Sequence, residues 1–140
     1  GEFIHFTACD PVVASGTLAY STLRSTGCRF DSQEVIDVID FSDINNPFRI
    51  NTVPSESPFG LAIAGDYLFV CEKGGISMFL RGNGGELGSV GFFEIDGHLP
   101  IDIIPQDGFL IVRTDNGIYN VTYDPSGQMT ILGSVRIALG

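Results

Sequence analysis

A pattern that recurs at a fixed distance limits a chain more than composition does, because every copy must fold alike and find cover for its apolar residues. Tyr67-Leu68-Phe69-Val70 and Phe109-Leu110-Ile111-Val112 stand 42 residues apart, as do Ile76 and Ile118, each placed directly after a glycine. A further copy lies upstream: Leu18-Ala19-Tyr20-Ser21 precedes the Tyr67 run by 49 residues, whereas Val35 precedes Ile76 by 41. The mismatch places an insertion in the first copy, in the connection Ser25 to Gln33. Pro11, Pro58 and Pro100 open the copies, which suits the first residue of a strand, where a missing N–H costs no ladder bond. A period of roughly 40 to 50 residues holding several short strands is the pattern of propeller blades, each a four-stranded sheet.

The predicted fold is all-β: a single repeat domain over residues 1–140, with blade one at 11–53, blade two at 58–95 and blade three at 100–137, together forming part of a β-propeller. Within each copy, apolar runs alternate with turns at Ser15-Gly16-Thr17, Ala64-Gly65-Asp66 and Gln106-Asp107-Gly108, where glycine supplies the backbone freedom that a hairpin needs. Ser42 to Pro47, Arg81 to Gly85 and Asp124 to Gly127 are turns by composition. Glu2 to Phe6 also alternates like a strand but has no earlier strands to pair with. By its match to Phe92-Phe93-Glu94-Ile95, it is expected to be the outer strand of an otherwise missing blade.

Bulk properties narrow the function classes. The 18 glycines, 7 prolines and 44% hydrophobic content suit many short strands and argue against disorder. Seven basic against seventeen acidic residues give a net charge of −10, which repels phosphate backbones and anionic lipid, so nucleic acid is excluded as an expected partner. The chain shown contains no apolar run long enough to span a membrane and no secretory leader, although a trimmed export signal would leave no trace. The three cysteines lack a C-x-x-C or His-rich setting, so no metal site and no cofactor are expected.

Ala8 to Cys28 (ACDPVVASGTLAYSTLRSTGC), followed by Val35 to Pro47 (VIDVIDFSDINNP), resembles the LVIVD repeat of bacterial and archaeal surface propellers, in particular exported proteins of the Bacteroides group. Copies two and three share the apolar skeleton but have other residues at the D-x-S-D-x-x-N-P turn. The resemblance implies a β-propeller that is extracytoplasmic, in the periplasm or at the cell surface, with a lipid anchor upstream of the sequence shown. It carries no catalytic residues to transfer.

In an up-and-down blade, the connection into the first strand and the one between strands two and three share an end. That end collects the candidate binding residues Asp10, Arg24, Glu72, His98, Asp102 and Arg113, since binding groups concentrate on loops held by a rigid scaffold. The same geometry brings Cys9 and Cys28 together as an expected disulfide, while Cys71, in an apolar strand, is expected to be a buried free thiol. Asp10 and Asp102, near the openings of first strands, are candidates for a carboxylate pair of the kind glycoside hydrolysis uses, although Asp is also an ordinary turn and strand-entry residue. Arg81 to Gly85 has phosphate-loop spacing, but strand residues follow it where a phosphate site needs a helix. Asn120-Val121-Thr122 fits the glycosylation pattern but sits in a predicted strand. Aromatic residues recurring at matched positions, such as Tyr20, Phe69 and Phe79, fit packing between sheets better than a sugar platform.

The expected function is a non-catalytic binding or scaffolding module at the bacterial envelope, with a protein or carbohydrate ligand. The alternative is a propeller-type carbohydrate hydrolase or lyase. Three blades do not close a ring, so the first and last sheets are expected to expose apolar faces and the chain to pair with a second copy as a dimer.

Overall fold

A computed structural model describes residues 11–23, 34–95 and 98–136. These residues form twelve strands in three four-stranded antiparallel sheets, with no helix among them. Blade one comprises β1 (Val12–Ser15), β2 (Leu18–Leu23), β3 (Val35–Asp40) and β4 (Phe48–Pro54). Blade two comprises β5 (Leu61–Ala64), β6 (Tyr67–Glu72), β7 (Gly75–Arg81) and β8 (Leu87–Glu94), and blade three β9 (Pro100–Gln106), β10 (Phe109–Thr114), β11 (Gly117–Tyr123) and β12 (Met129–Arg136). Strand order within each sheet follows the chain, as in a propeller blade. The expected strand Glu2 to Phe6, the Cys9–Cys28 pair, Asp10 and Arg24 lie outside the described residues.

Pairing register shows the repeat at the level of single residues. The third and fourth strands slip by one residue between Val38 and Ile39, between Met78 and Phe79, and between Asn120 and Val121. These are equivalent positions, and a bulge there adds twist to the outer strand of every blade. The register also corrects one sequence alignment. Thr22 pairs with Ile36, Cys71 with Ile76 and Arg113 with Ile118, so the residue equivalent to Ile76 in blade one is Ile36 and not Val35. The alternation of a strand turns a one-residue shift into a change of face. Ile36 packs toward blade two, and Val35 turns away.

Two cores hold the sheets together. Between blades one and two lie Leu18, Tyr20, Ile36 and Val38 against Leu61, Leu68, Val70 and Phe79. Between blades two and three lie Ala62, Phe69, Cys71, Ile76 and Met78 against Ile103, Leu110, Val112 and Val121. Blade two is therefore buried on both faces, and for that reason β6 is apolar at consecutive positions from Leu68 to Cys71. Backbone contacts add to the seam: the Gly60 N–H donates to the Ile101 carbonyl at 2.9 Å. A Cβ at residue 60 would lie 2.6 Å from Asp102 Oδ1 and 2.8 Å from that carbonyl, so the close approach requires glycine.

Of the two apolar end faces expected from an incomplete ring, the structure leaves one open. On blade one the two central strands are covered on the face turned away from blade two, with Ser21, Leu23, Asp37 and Ile39 all buried, while Val12 at the edge of that face is 55% exposed. Asp37 there accepts a hydrogen bond from Thr52 Oγ1 at 2.9 Å and lies 3.6 Å from Arg49 Nη1. On blade three the corresponding outer face is open. Ile104 is 51% and Ile118 37% exposed, whereas their blade two equivalents, Ala62 and Ile76, are 2% and 0% exposed.

Candidate functional site

Four of the candidate residues fall among the described residues, and they do not form one site. Glu72 ends β6 as a buried residue. Its two carboxylate oxygens accept very short hydrogen bonds from the Ser55 and Ser77 hydroxyls. Ser55 belongs to the exit of blade one and Ser77 to β7, so Glu72 ties two blades together and offers no free carboxylate at the loop end. A buried carboxylate persists where hydroxyls replace its water.

His98 sits at the same end of blade three in a local network. Its Nδ1 lies 3.6 Å from Asp115 Oδ1, and its Nε2 lies 3.1 Å from Asn116 Nδ2. Asn116 Oδ1 in turn accepts hydrogen bonds from Thr114 Oγ1 at 2.7 Å and from the Tyr119 hydroxyl at 3.2 Å. An amide donor facing Nε2 makes that nitrogen the acceptor and leaves the proton on Nδ1, toward Asp115. The backbone completes the brace, with Leu99 N–H donating to Asp115 Oδ1 and Asp115 N–H to the Leu99 carbonyl. The cluster fixes the entry of β9 against the β10–β11 turn.

Asp102 and Arg113 are directly opposite each other across β9 and β10. Both are exposed, and by alternation both belong to the open face of blade three, but the Asp102 carboxylate turns back toward blade two, its Oδ1 accepting from the Ile103 N–H at 2.9 Å beside Gly60. That face also carries Ile104, Ile118 and Val135, the last 67% exposed. At the equivalent positions blade two has Gly60 and Cys71, both buried, so blade three has exchanged part of an apolar contact surface for a cation and an anion. Asp10, the expected partner of Asp102, lies outside the described residues.

Cys71 is a buried free thiol, as the alternation of β6 predicts. Burial first, then the negative charges of Asp102 and Glu72, push its pKa far above the ordinary thiol range. The thiolate is the reactive form, so this cysteine is chemically inert in the folded chain. Aromatic residues pack as expected for the inter-sheet cores, with the Phe69 and Tyr123 rings 4.8 Å apart; Phe92 departs from this and is half exposed.

The opposite, hairpin-turn end holds a feature that the sequence reading missed. A cleft of about 390 Å³ opens between the β1–β2 turn of blade one and the turns of blade two, lined by Ser15, Thr17, Asp66, Arg81 and Asn83 among others. The turn at Gly16 (φ 63°) and that at Gly65 (φ 58°) form its walls, with glycine at the first central position that a two-residue hairpin turn of this kind requires. Arg81 ends β7 over the Tyr20 ring, 5.5 Å from its centroid. Its Nε–H donates to the Tyr20 hydroxyl at 3.2 Å and Nη1 to the Gly65 carbonyl at 2.8 Å. A separate apolar groove of about 370 Å³ runs along the first strands of the blades, between Val13, Ile63 and Ile104. Among the described residues no group of three or more His, Cys, Asp or Glu side chains converges to hold a metal ion, and no helix is long and apolar enough to cross a membrane.

No protein-family model matches the chain, and no curated protein matches it. Among solved structures, it is similar to a crystal structure of a protein from Lactobacillus plantarum, with a TM-score of 0.71 at 16% sequence identity over 86% of this chain. The match takes in 39% of that protein's length. At this identity the likeness bears on fold alone, and it agrees with the three-sheet, propeller-type architecture.

Proposed function

We propose that the chain is a non-catalytic binding or scaffolding module of propeller type that acts through the open face of blade three, pairing there with a second copy of itself. The observation carrying this reading is the exposure of Ile104, Ile118 and Val135 at repeat positions whose blade two counterparts face the inter-blade core. A continuing apolar core would call for apolar residues throughout. Arg113, Asp102 and Asn120 instead give the face the mixed composition of a protein–protein contact. Arg113 and Ile118 are paired in register on this face, so a two-fold axis through it lets one patch of mixed apolar and polar groups serve both chains. Burial of such a face at about 25 cal/mol per Å² favours association over leaving it in water.

The proposal keeps the LVIVD-type resemblance and with it an extracytoplasmic location, supported by the residues of Ala8 to Pro47. In that setting Cys9 and Cys28 form a disulfide, and intact mass under non-reducing conditions with thiol counting reads it: one free thiol is expected, and three would remove both the bridge and the oxidising compartment. Light scattering at low micromolar concentration tests the pairing. A mass of twice 15.0 kDa is expected, and a stable, folded species at the mass of one chain would overturn it.

A further inference from the structure

We infer that the cleft around Arg81 is a binding site for a sugar that carries a single carboxylate, a uronic acid. The site lies between blades one and two at the hairpin-turn end and shares no residue with the face of blade three, so it stands or falls independently of self-association. A guanidinium has five N–H groups. In Arg81 the Nε–H goes to Tyr20 and one on Nη1 goes to Gly65, which leaves the other on Nη1 and both on Nη2 without a partner among the described residues. The two hydrogen bonds and the Tyr20 ring beneath hold the side chain at the floor of the cleft. Its ordering cost has therefore been met before any ligand arrives.

Remaining guanidinium donors on a fixed plane fit a carboxylate, which accepts two parallel N–H bonds. The other wall groups select what accompanies that carboxylate. The Ser15 and Thr17 hydroxyls and the Asn83 amide both donate and accept, and the Asp66 carboxylate only accepts. Together they suit the hydroxyls of a sugar ring. Asp66 and the chain's net charge of −10 oppose a multiply charged anion such as phosphate, and a monoanion meets less of that repulsion. The cleft, at about 390 Å³, falls within the usual size of small-molecule sites.

The test is a nuclear magnetic resonance titration of the full chain with D-glucuronate, D-glucose and inorganic phosphate. Glucuronate is expected to produce saturable shifts in the backbone amides of Gly16, Thr17, Asp66, Gly82 and Asn83, in the millimolar range. Glucose and phosphate are expected to bind at least about tenfold more weakly, glucose lacking the carboxylate and phosphate lacking the sugar ring and its hydroxyls. Arg81→Gln is expected to abolish the glucuronate shifts. Should that variant unfold through loss of the Tyr20 contact, the wild-type shift map and the three-ligand ranking decide the matter by themselves. No saturable shift at these amides, shifts centred elsewhere, a response to glucose or phosphate equal to that for glucuronate, or full binding by a folded Arg81→Gln variant would each overturn the inference.

Discussion

Glu72 shows how far a residue's chemistry can be read without its surroundings. A glutamate beside a Lys-Gly-Gly turn looks like a solvated loop group, and nothing local announces that Ser55, in another blade's exit, will reach it. Burial makes its hydroxyl partners dependent on it. Glu72→Ala leaves the Ser55 and Ser77 hydroxyls without their acceptor and is expected to destabilise the chain by about 1–3 kcal/mol. Glu72→Gln keeps an acceptor and the side chain's shape, and is expected to cost less. Urea denaturation of the two variants checks this, and equal midpoints for Glu72→Ala and the parent chain would refute it. Cys71, by contrast, was legible: alternation with Phe69 in an apolar run is enough to bury it. Its reaction with a thiol reagent is expected to follow global unfolding, which peptide mapping after timed labelling reads; rapid labelling of the native chain would contradict the packed core between blades two and three.

At the scale of the element, turns were the most legible features and their internal chemistry the least. The D-x-S-D-x-x-N-P residues of blade one make a self-contained brace. Asp40 Oδ1 accepts from the Ser42 N–H at 2.8 Å, Asp43 Oδ1 from the Asn45 N–H at 3.0 Å, and Asp43 Oδ2 from Asn46 Nδ2 at 3.0 Å. Blade three lacks that string but reaches the same end with Asp124, which accepts from the N–H groups of Ser126 at 2.9 Å and Gln128 at 3.2 Å. The motif therefore encodes a turn, and different residues can write it. These bonds favour the charged carboxylates. The Ser42 N–H lowers the pKa of Asp40, the Asn46 amide and Asn45 N–H that of Asp43, and the Ser126 hydroxyl and Gln128 N–H that of Asp124, each from the ordinary 3.8. A folded-state pKa below the unfolded one adds stability that is complete above the ordinary value and is lost as pH falls through the lowered one. Stability is accordingly expected to drop as pH falls below about 4, and Asp43→Asn with Asp124→Asn, which keep one acceptor oxygen each but cannot titrate, should flatten that slope. Denaturation midpoints across the range measure it; an unchanged slope in the double variant would show that the acid sensitivity arises elsewhere.

For the whole molecule, periodicity carried the architecture, since a 42-residue repeat with matched strands leaves few arrangements other than stacked blades. It could not say which end of the stack stays open. The repeat treats both terminal blades alike, but the covered central strands of blade one depend on Ser21, Asp37 and Ile39, and the open face of blade three on Ile104 and Ile118, each set by alternation against register rather than by period. The open face supplies the last prediction. Ile118 lies next to Arg113 in the sheet and is paired with it in register, near the centre of the surface through which two copies are proposed to meet. It is already 37% exposed in the single chain, so Ile118→Lys adds charge where water is present and costs the isolated fold little. In the pair, the same lysine would be desolvated beside a second cation, Arg113, and its copy would lie across the two-fold axis. That unpaired charge at an interface costs several kcal/mol, roughly a hundredfold or more in association. Ile118→Lys is thus expected to sediment as a single chain at concentrations where the parent is paired. Its thermal midpoint should no longer rise with protein concentration, as that of a self-associating chain does by mass action. A variant that remains paired, with a midpoint that still climbs with concentration, would place the contact on some other surface and leave the face of blade three without its proposed role.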